Sequence, residues 1–297
     1  MDGILIVDKP DGMTSHDVVA AVRRILHTKK VGHTGTLDPF ATGVMVVLVG
    51  RSTRLAQFLD RDEKEYEAVV QLGFETDTGD RTGTQKLDQL APADTAAELD
   101  WEDVLEHFRG RLTQTPPMYS AKKIDGKRLY EMARKGEHID RQPVNIEIRE
   151  LELLDKPLDG RPSSIQIRVV CSAGTYIRTL AEDIGRKAGV GAHLAELRRT
   201  RAGKFDLVQS VTLEALKDSP DPACNLRPIS EAVSHLPSFA VAADRTAKTL
   251  NGMSTRVGDV AFVSGQAIQM LSPEGELLAI GFYDEREGAV QPKVVLV

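Results

Sequence analysis

Residues 32–43, Gly-His-Thr-Gly-Thr-Leu-Asp-Pro-Phe-Ala-Thr-Gly, carry groups that could do chemistry in a fixed geometry. Three glycines and a proline in twelve residues argue against a regular helix or a central strand, so a loop is predicted. The apolar run 44–49 would hold this loop on a rigid strand, where catalytic groups tend to lie. Asp38 could then act as a nucleophile or a general base, with His33 nearby. Taken alone, such a loop is more often a tight turn whose Asp only binds backbone.

A second chemical signal is the position of Arg178 within residues 171–180, Cys-Ser-Ala-Gly-Thr-Tyr-Ile-Arg-Thr-Leu. Gly174 and Thr175 favour a junction between a strand and a helix, which puts Arg178 in the first helical turn. The helix dipole disfavours positive charge there. Arg178 is therefore predicted to have a carboxylate partner.

The elements that would position these groups follow from apolar periodicity and turn residues. Thr14 and Asp17 form a capping-box-like start for the first helix, which would run to about His27. The other predicted helices span 53–59, 99–108, 127–135, 176–188 and 229–233. The predicted strands span 4–7, 44–49, 65–72, 146–154, 165–171, 260–263, 267–271, 277–282 and 294–297.

The pattern of residues changes after about residue 210, where Pro- and Asp-rich turns precede short predicted strands separated by glycines. We therefore predict a large mixed domain over residues 1–237 and a small barrel-like β domain over 239–297.

Charge is unevenly distributed along this 297-residue chain, whose net charge is −6. Residues 60–107 hold fifteen acids and four bases, whereas 108–149 hold ten bases and five acids and 178–204 hold seven bases and three acids. Such segregation could steer a polyanion to one face of the protein. Solvated helix faces would explain the same counts equally well.

Several protein classes are disfavoured by composition. The N-terminus carries acids where a signal peptide carries Lys or Arg, and the longest apolar run, 44–49, is too short for a membrane span. Cys171 and Cys224 stand alone, which argues against a disulfide framework and a zinc site. We expect a cytoplasmic protein that needs no metal, no cofactor and no membrane.

Residues 32–43 resemble the catalytic motif of TruB-type pseudouridine synthases nearly letter for letter. The resemblance implies that Asp38 is the nucleophile and that His33 lies against RNA beside the flipped base. It also implies that Arg178 pairs with Asp38, that Tyr176 lines the same pocket, and that Tyr66 stacks on the target base. Without the resemblance, Tyr66 would be assigned to strand packing.

Further matches concern support of the loop and the binding of RNA. Lys9 and Pro10 match a Lys-Pro-x-Gly motif that supports the catalytic loop in the family. The basic stretch 115–130 resembles the family's insertion, at about 109–145, that closes over the T arm of tRNA, where Lys122 and Lys123 would contact RNA. It would otherwise be an ordinary surface helix. Residues 192–199 match a segment that would place Leu197 in the pocket wall, and Arg198 and Arg199 near phosphate.

The family resemblance implies an α+β fold, with a mixed, largely antiparallel sheet, flanking helices and a small PUA-like C-terminal domain that binds RNA. It implies isomerisation of the T-loop uridine, position 55, of tRNA to pseudouridine after the base is flipped out. We expect a monomer that needs no obligate protein partner. Two alternatives remain open: an RNA-guided synthase of the dyskerin kind, and a non-catalytic chaperone that binds and remodels tRNA.

Overall fold

A computed structural model describes most of the chain. The described residues are 1–59, 62–86, 96, 99–119, 123–124, 127–128, 132, 139–155, 164–258 and 261–296.

Within these residues, ten strands form one large sheet, five form a second sheet and two form a short hairpin. The large sheet contains β1 (Gly3–Lys9), β2 (Val31–Thr34), β3 (Thr42–Val49), β4 (Lys64–Leu72), β5 (Gly110–Gln114), β8 (Val144–Asp155), β9 (Ser164–Cys171), β10 (Ala192–Ala202), β11 (Phe205–Asp206) and β12 (Val211–Thr212). The hairpin contains β6 (Lys123–Ile124) and β7 (Lys127–Arg128). The second sheet contains β13 (Ser238–Ala240), β14 (Thr255–Arg256), β15 (Ala267–Leu271), β16 (Leu277–Asp284) and β17 (Ala289–Val295).

The described α-helices flank the sheets, and a 3₁₀ helix, Gly50–Phe58, follows β3. They are α1 (Ser15–Ile25), α2 (Trp101–Glu106), α3 (Ile177–Lys187), α4 (Leu213–Asp218), α5 (Ile229–Ala232) and α6 (Ala243–Leu250). Within the described residues, every helix is too short or too polar to span a bilayer.

The large sheet confirms the predicted mixed α+β fold. Its main path is β12-β1-β3-β10-β4-β9-β8-β5, in which only the β12–β1 and β3–β10 pairs are parallel. Strand β10 lies between β3 and β4, so it joins the N-terminal strands to those that follow. The helix α3 packs against β10 and buries its apolar face in the main core.

The first helix begins as predicted. The Thr14 side chain accepts from the backbone of Asp17, and the Asp17 carboxylate accepts from the backbone of Thr14, which completes the capping box. The helix ends at Ile25, near the predicted boundary.

Several predicted boundaries were wrong. Residues 32–34 belong to strand β2, paired with β3, and not to the loop predicted over 32–43. The predicted helix 53–59 is a 3₁₀ helix that begins at Gly50. Residues 261–263 form no strand, while residue 260 lies outside the described residues. Strand β10 was not predicted at all.

The predicted basic helix 127–135 falls mostly outside the described residues. Lys127–Arg128 form a strand, so no helix begins there. Met132, the one other residue of this range that the structure describes, is helical.

Candidate active site

Buried contacts from the N-terminal segment hold the loop between β2 and β3 in place. The Lys9 ammonium is fully buried and donates to the carbonyls of Pro10, Pro39 and Ala41 at 2.8, 3.0 and 2.6 Å. Burial lowers the pKa of Lys9 to about 8. The Pro39 and Ala41 carbonyls belong to the loop just after Asp38, so the Lys9 ammonium ties that loop to the N-terminal segment. The family resemblance implies a supporting role for Lys9, and that role stays a prediction.

Ser15, the first residue of α1, holds the residue before Asp38. Its hydroxyl donates to the Leu37 carbonyl at 3.1 Å and accepts from the Leu37 amide at 3.0 Å. Ser15 is buried, so these two bonds exchange little with water. The backbone on both sides of Asp38 is therefore fixed by side chains from β1 and α1.

At the C-terminal end of the loop, Gly43 allows β3 to approach β10 closely. Its φ is +101°, and a Cβ built there would lie 2.2 Å from the Arg199 carbonyl oxygen. Only glycine satisfies both the backbone angle and the close approach.

We expect Gly43→Ala to lower the free energy of unfolding by about 3 kcal/mol or more, because backbone strain and a clash with main chain act together. Gly12→Ala is the matched control: its φ is +81°, but nothing lies within 4 Å of the added Cβ. The control should cost only the strain, about 1 kcal/mol. Equal losses in chemical denaturation of the two variants would contradict the close approach of Gly43 and Arg199.

Asp38 and Arg178 form a bidentate ion pair, although 140 residues separate them in sequence. Arg178 Nε lies 2.9 Å from Asp38 Oδ2, and Arg178 Nη2 lies 3.2 Å from Oδ1. Such fork-to-fork contacts fix the plane of the carboxylate as well as its charge. The carboxylate partner predicted for Arg178 is thus present, and it is Asp38.

The remaining donors of Arg178 are also occupied. They contact the carbonyl of Thr78 at 3.0 Å, the carbonyl of Tyr119 at 2.6 Å, and the Asp80 carboxylate at 3.6 Å. Because only 6% of the Arg178 side chain is exposed, these contacts determine where the guanidinium lies. The helix itself begins at Ile177, so Arg178 is in its first turn as predicted.

Burial and pairing act on the Asp38 carboxyl in opposite directions. Desolvation raises its pKa, and the neighbouring Asp80 carboxylate adds to that rise, while the Arg178 guanidinium opposes it. The net pKa lies above the ordinary value. Pairing alone would predict a lowered pKa, but burial outweighs the Arg178 charge. About a third of the Asp38 side chain nevertheless stays exposed, which leaves its oxygens accessible to a ligand.

The pair lines a cavity of about 240 Å³. The sequence-predicted residues Tyr66, Tyr176 and Leu197 line the same cavity, together with Arg199. Tyr66 comes from β4 and Leu197 from β10, while Tyr176 is the residue before α3. The cavity therefore combines a charged pair with two aromatic rings and one aliphatic wall.

Tyr66 is nearly buried, and burial raises its pKa, although the Arg199 guanidinium nearby opposes the rise. The phenol therefore keeps its proton at neutral pH. A neutral ring suits stacking on a base better than removal of a proton.

His33 is not among the residues that line this cavity. Its ring meets the His16 ring edge-on at 5.8 Å, and its buried Nδ1 atom has no hydrogen-bond partner among the described residues. Burial, helped by repulsion from His16 and Arg199, lowers the pKa of His33 to about 4. His33 is therefore neutral at physiological pH and offers a flat ring without charge.

The two arginines expected near phosphate have different places. Arg198 is partly exposed and pairs with Asp8 at 2.7 Å. Arg199 is buried, and it donates to the carbonyls of Val44 at 2.6 Å and Gly35 at 3.0 Å. These contacts correct the expectation for Arg199, because a guanidinium bound to two carbonyls inside the protein supports the loop. Lys122 lies outside the described residues, and Lys123 lies in β6.

Sequence reasoning gave no role to three residues that the structure places at the ion pair or at its supports. Ser15 bonds to Leu37, Asp80 contacts Arg178, and Gln114 bonds to the backbone of Tyr176. A serine opening a helix and a glutamine ending a strand carry no chemical signal in sequence. Their partners are backbone groups or lie far along the chain.

Two family profiles match this chain. The profile of the N-terminal domain of TruB family pseudouridylate synthases matches residues 23–177, and the profile of the tRNA pseudouridylate synthase B C-terminal domain matches residues 178–229. The tRNA pseudouridine synthase B of Solibacter usitatus is 43% identical over 95% of both chains. That of Geobacillus thermodenitrificans is 42% identical over 98% of both chains.

Solved structures show the same fold. A chain from the crystal structure of a Cbf5-Nop10-Gar1 complex superposes with a TM-score of 0.74 at 29% identity, covering 99% of this chain and 85% of that one. A chain from an H/ACA RNP bound to a substrate RNA containing 2′-deoxyuridine gives a TM-score of 0.73 at 27% identity, with the same coverage. With profiles matching over half of its length and relatives above 40% identity along nearly all of it, the chain belongs to the TruB family of pseudouridylate synthases.

Proposed function

We propose that this protein isomerises the T-loop uridine at position 55 of tRNA to pseudouridine, with Asp38 as the nucleophile or general base. The observation that carries the proposal is the Asp38–Arg178 pair, at 2.9 Å, on the wall of a cavity that also holds Tyr66 and Tyr176. The relatives named tRNA pseudouridine synthase B support tRNA as the substrate.

The reaction breaks the bond between C1′ and N1 and forms a bond between C1′ and C5. The C5 proton is lost and N1 gains a proton, so the overall change is an isomerisation that needs no redox partner. Asp38 can attack C1′ or C6, or take a proton from C2′, and each route requires its ionised form. The Arg178 guanidinium favours that form against the burial of the site.

The target base must leave its loop to reach Asp38, at a cost of a few kcal/mol. We infer that His33, neutral and partly exposed, occupies the space that the base vacates. Tyr66 then stacks on the extruded base, and Leu197 covers it from the wall of the cavity.

The wider surface would hold the tRNA. The insertion at about 109–145, with Lys122 and Lys123, would close over the T arm, and the partly exposed Arg198 side chain on β10 would bind phosphate. We infer that residues 1–237 form the catalytic domain and 239–297 a PUA-like RNA-binding domain, because every strand of the second sheet begins at or after Ser238. The protein would act in the cytoplasm as a monomer.

The proposal is tested by chemical mapping of pseudouridine in an unmodified tRNA transcript, before and after incubation with the purified protein. We expect one new pseudouridine at position 55, and none when that uridine is replaced by cytidine. A tRNA that gains no pseudouridine, or gains it at another position, would overturn the assignment.

One alternative has specific support, because one superposed chain comes from a Cbf5-Nop10-Gar1 complex and the other from an H/ACA RNP bound to a substrate RNA. An RNA-guided synthase would need guide RNA and partner proteins. The same mapping on an isolated T-arm stem-loop separates the two, since a stand-alone enzyme modifies it with no addition. Modification that requires a guide RNA would establish the RNA-guided alternative.

A further inference from the structure

A loop that follows β4 folds back on itself. The Lys86 amide donates to the Glu75 carbonyl at 2.9 Å. A β-bridge pairs Thr76 with Gln85, so the two ends of residues 75–86 lie side by side. We call residues 75–86 the β4 loop and its paired ends the neck.

The tip of the β4 loop contacts the helical turn that carries Arg178. The Thr78 carbonyl accepts from Arg178 Nη1 at 3.0 Å, and the Asp80 carboxylate lies 3.6 Å from the same nitrogen. Gly79, between them, lies so close to the helix that a Cβ built there would be 3.5 Å from the Arg178 Cβ. A guanidinium has fixed donor directions, so its acceptors determine where it lies. The place of the loop therefore affects the geometry of the ion pair.

A cluster of charged side chains holds the neck against the same helix. The Glu75 carboxylate accepts from Arg186 Nε at 2.6 Å and Nη2 at 2.8 Å, and from Lys86 Nζ at 3.1 Å. Lys86 Nζ also lies 3.3 Å from the Glu182 carboxylate. A bidentate contact between an arginine and a carboxylate fixes orientation as well as distance. Glu75 is thus bound by its own loop and by α3.

The spacing of residues along α3 aligns these contacts. Arg178, Glu182 and Arg186 are four residues apart, so they lie on one face of the helix in successive turns. The tip of the β4 loop contacts the first of these turns, and the neck contacts the other two. The loop is therefore held along α3 at two places, and only the tip touches the ion pair.

The burial of Glu75 distinguishes this cluster from ordinary surface ion pairs. Only 6% of the Glu75 side chain is exposed, against 52% for Arg186 and 34% for Lys86. Burial raises the pKa of Glu75, but hydrogen bonds from Arg186 and Lys86 lower it more, so the net pKa lies below the ordinary value. The carboxylate is therefore ionised at neutral pH. Loss of a partner would leave a buried charge, which costs more than the loss of an exposed pair.

We propose that Glu75 is a positioning residue for Arg178. Its bonds to Arg186 and Lys86 set the place of the β4 loop, and the tip of the loop sets where the guanidinium meets the catalytic carboxylate. Glu75 is not among the residues that line the cavity, so it acts through the loop and not on the substrate. The inference rests on the proposed function, because it concerns the rate of that reaction.

Charge reversal tests the proposal, because a second reversal compensates the first. Arg186→Glu puts two carboxylates together at the neck, and Glu75→Arg puts a third cation beside Arg186 and Lys86. The double variant restores an ion pair of opposite sense at the same place. Lys187→Glu is the matched control, since Lys187 is the next residue of α3, is exposed and has no ion pair with a described residue.

With saturating tRNA, we expect the single-turnover rate of each single variant at the neck to fall by about 10- to 100-fold, because small displacements of a catalytic group have effects of that size. The double variant should recover to within about 3-fold of the wild-type rate, since the two changes compensate each other. Lys187→Glu should keep the wild-type rate. Arg186→Glu and Lys187→Glu should change the Kd for tRNA equally, because both alter the net charge by the same amount.

The rates are compared per folded protein, below the unfolding temperature of every variant. A role in stability alone would lower the unfolding temperature and leave these rates unchanged, and that result would overturn the proposal. A double variant as slow as the single variants would overturn it too.

If a reversal variant does not fold, Arg186→Gln removes the bidentate contact from a half-exposed position and should also slow the reaction. A wild-type rate in folded Arg186→Gln would then contradict the role of Glu75. Failure of the proposed function is distinguishable, because the wild-type protein would in that case form no pseudouridine.

Discussion

Asp38→Asn is expected to abolish pseudouridine formation, lowering the single-turnover rate by about 10⁴-fold or more, with tRNA binding retained. Asparagine has nearly the same shape, but its amide can neither attack carbon nor accept a proton as a carboxylate does. The side chain is about one-third exposed and lies in the cavity wall, so the substitution should leave the fold intact.

The measurement pairs quantitative mapping of pseudouridine with a filter-binding Kd for the same tRNA. Asp103→Asn, on the exposed surface of α2, makes the same change in net charge and serves as the control. Pseudouridine formation by Asp38→Asn at a rate near wild type would remove Asp38 from the mechanism. A wild-type protein that binds tRNA and modifies none would instead be the non-catalytic chaperone.

Arg178→Lys is expected to lower the rate by about 10²- to 10³-fold, although the positive charge is kept. An ammonium cannot reproduce the two contacts to Asp38 together with those to the Thr78 and Tyr119 carbonyls. The carboxylate would therefore lose its orientation more than its charge. A Lys variant with wild-type activity would show that the fork geometry has no catalytic role.

The pH dependence of the reaction rate separates the effect of the Arg178 charge from the effect of its contact geometry. Burial raises the pKa of Asp38 and Arg178 opposes that rise, so activity should fall as pH drops through a value above that of an ordinary carboxyl. Removing the charge in Arg178→Met should move this acidic limb to still higher pH. Arg178→Lys should move it less.

If folded Arg178→Met loses activity at the same acidic pH as the wild type, a group other than Asp38 controls the fall of the rate at low pH. Thermal unfolding of both variants provides the control for folding, because breaking a buried ion pair costs about 3–5 kcal/mol.

Local signals in the sequence predicted a good part of this structure. The apolar run 44–49 and the Thr14–Asp17 capping box predicted β3 and the start of α1 correctly. The odd placement of Arg178 in a first turn predicted a carboxylate partner, which the structure identifies as Asp38. Each of these depends on residues that are close in sequence or on one uncompensated charge.

The missed features depend on contacts between distant segments. Strand β10 contains Arg198, Arg199 and Arg201, and charged residues at this density indicate surface. The structure buries Arg199 among backbone carbonyls and pairs Arg201 with Glu63. Gln114 likewise has its partner 62 residues away. Patterns within a short window carry no information on such pairs.

The place of β10 in the large sheet has a consequence for synthesis on the ribosome. Strands β3 and β4 do not pair with each other; each pairs with β10. Until residues 192–202 have emerged, the nascent chain holds two half-sheets whose open edges invite association with other chains. Chaperone capture of translation intermediates should therefore end once this strand is available, and fragments that stop before it should be prone to aggregation.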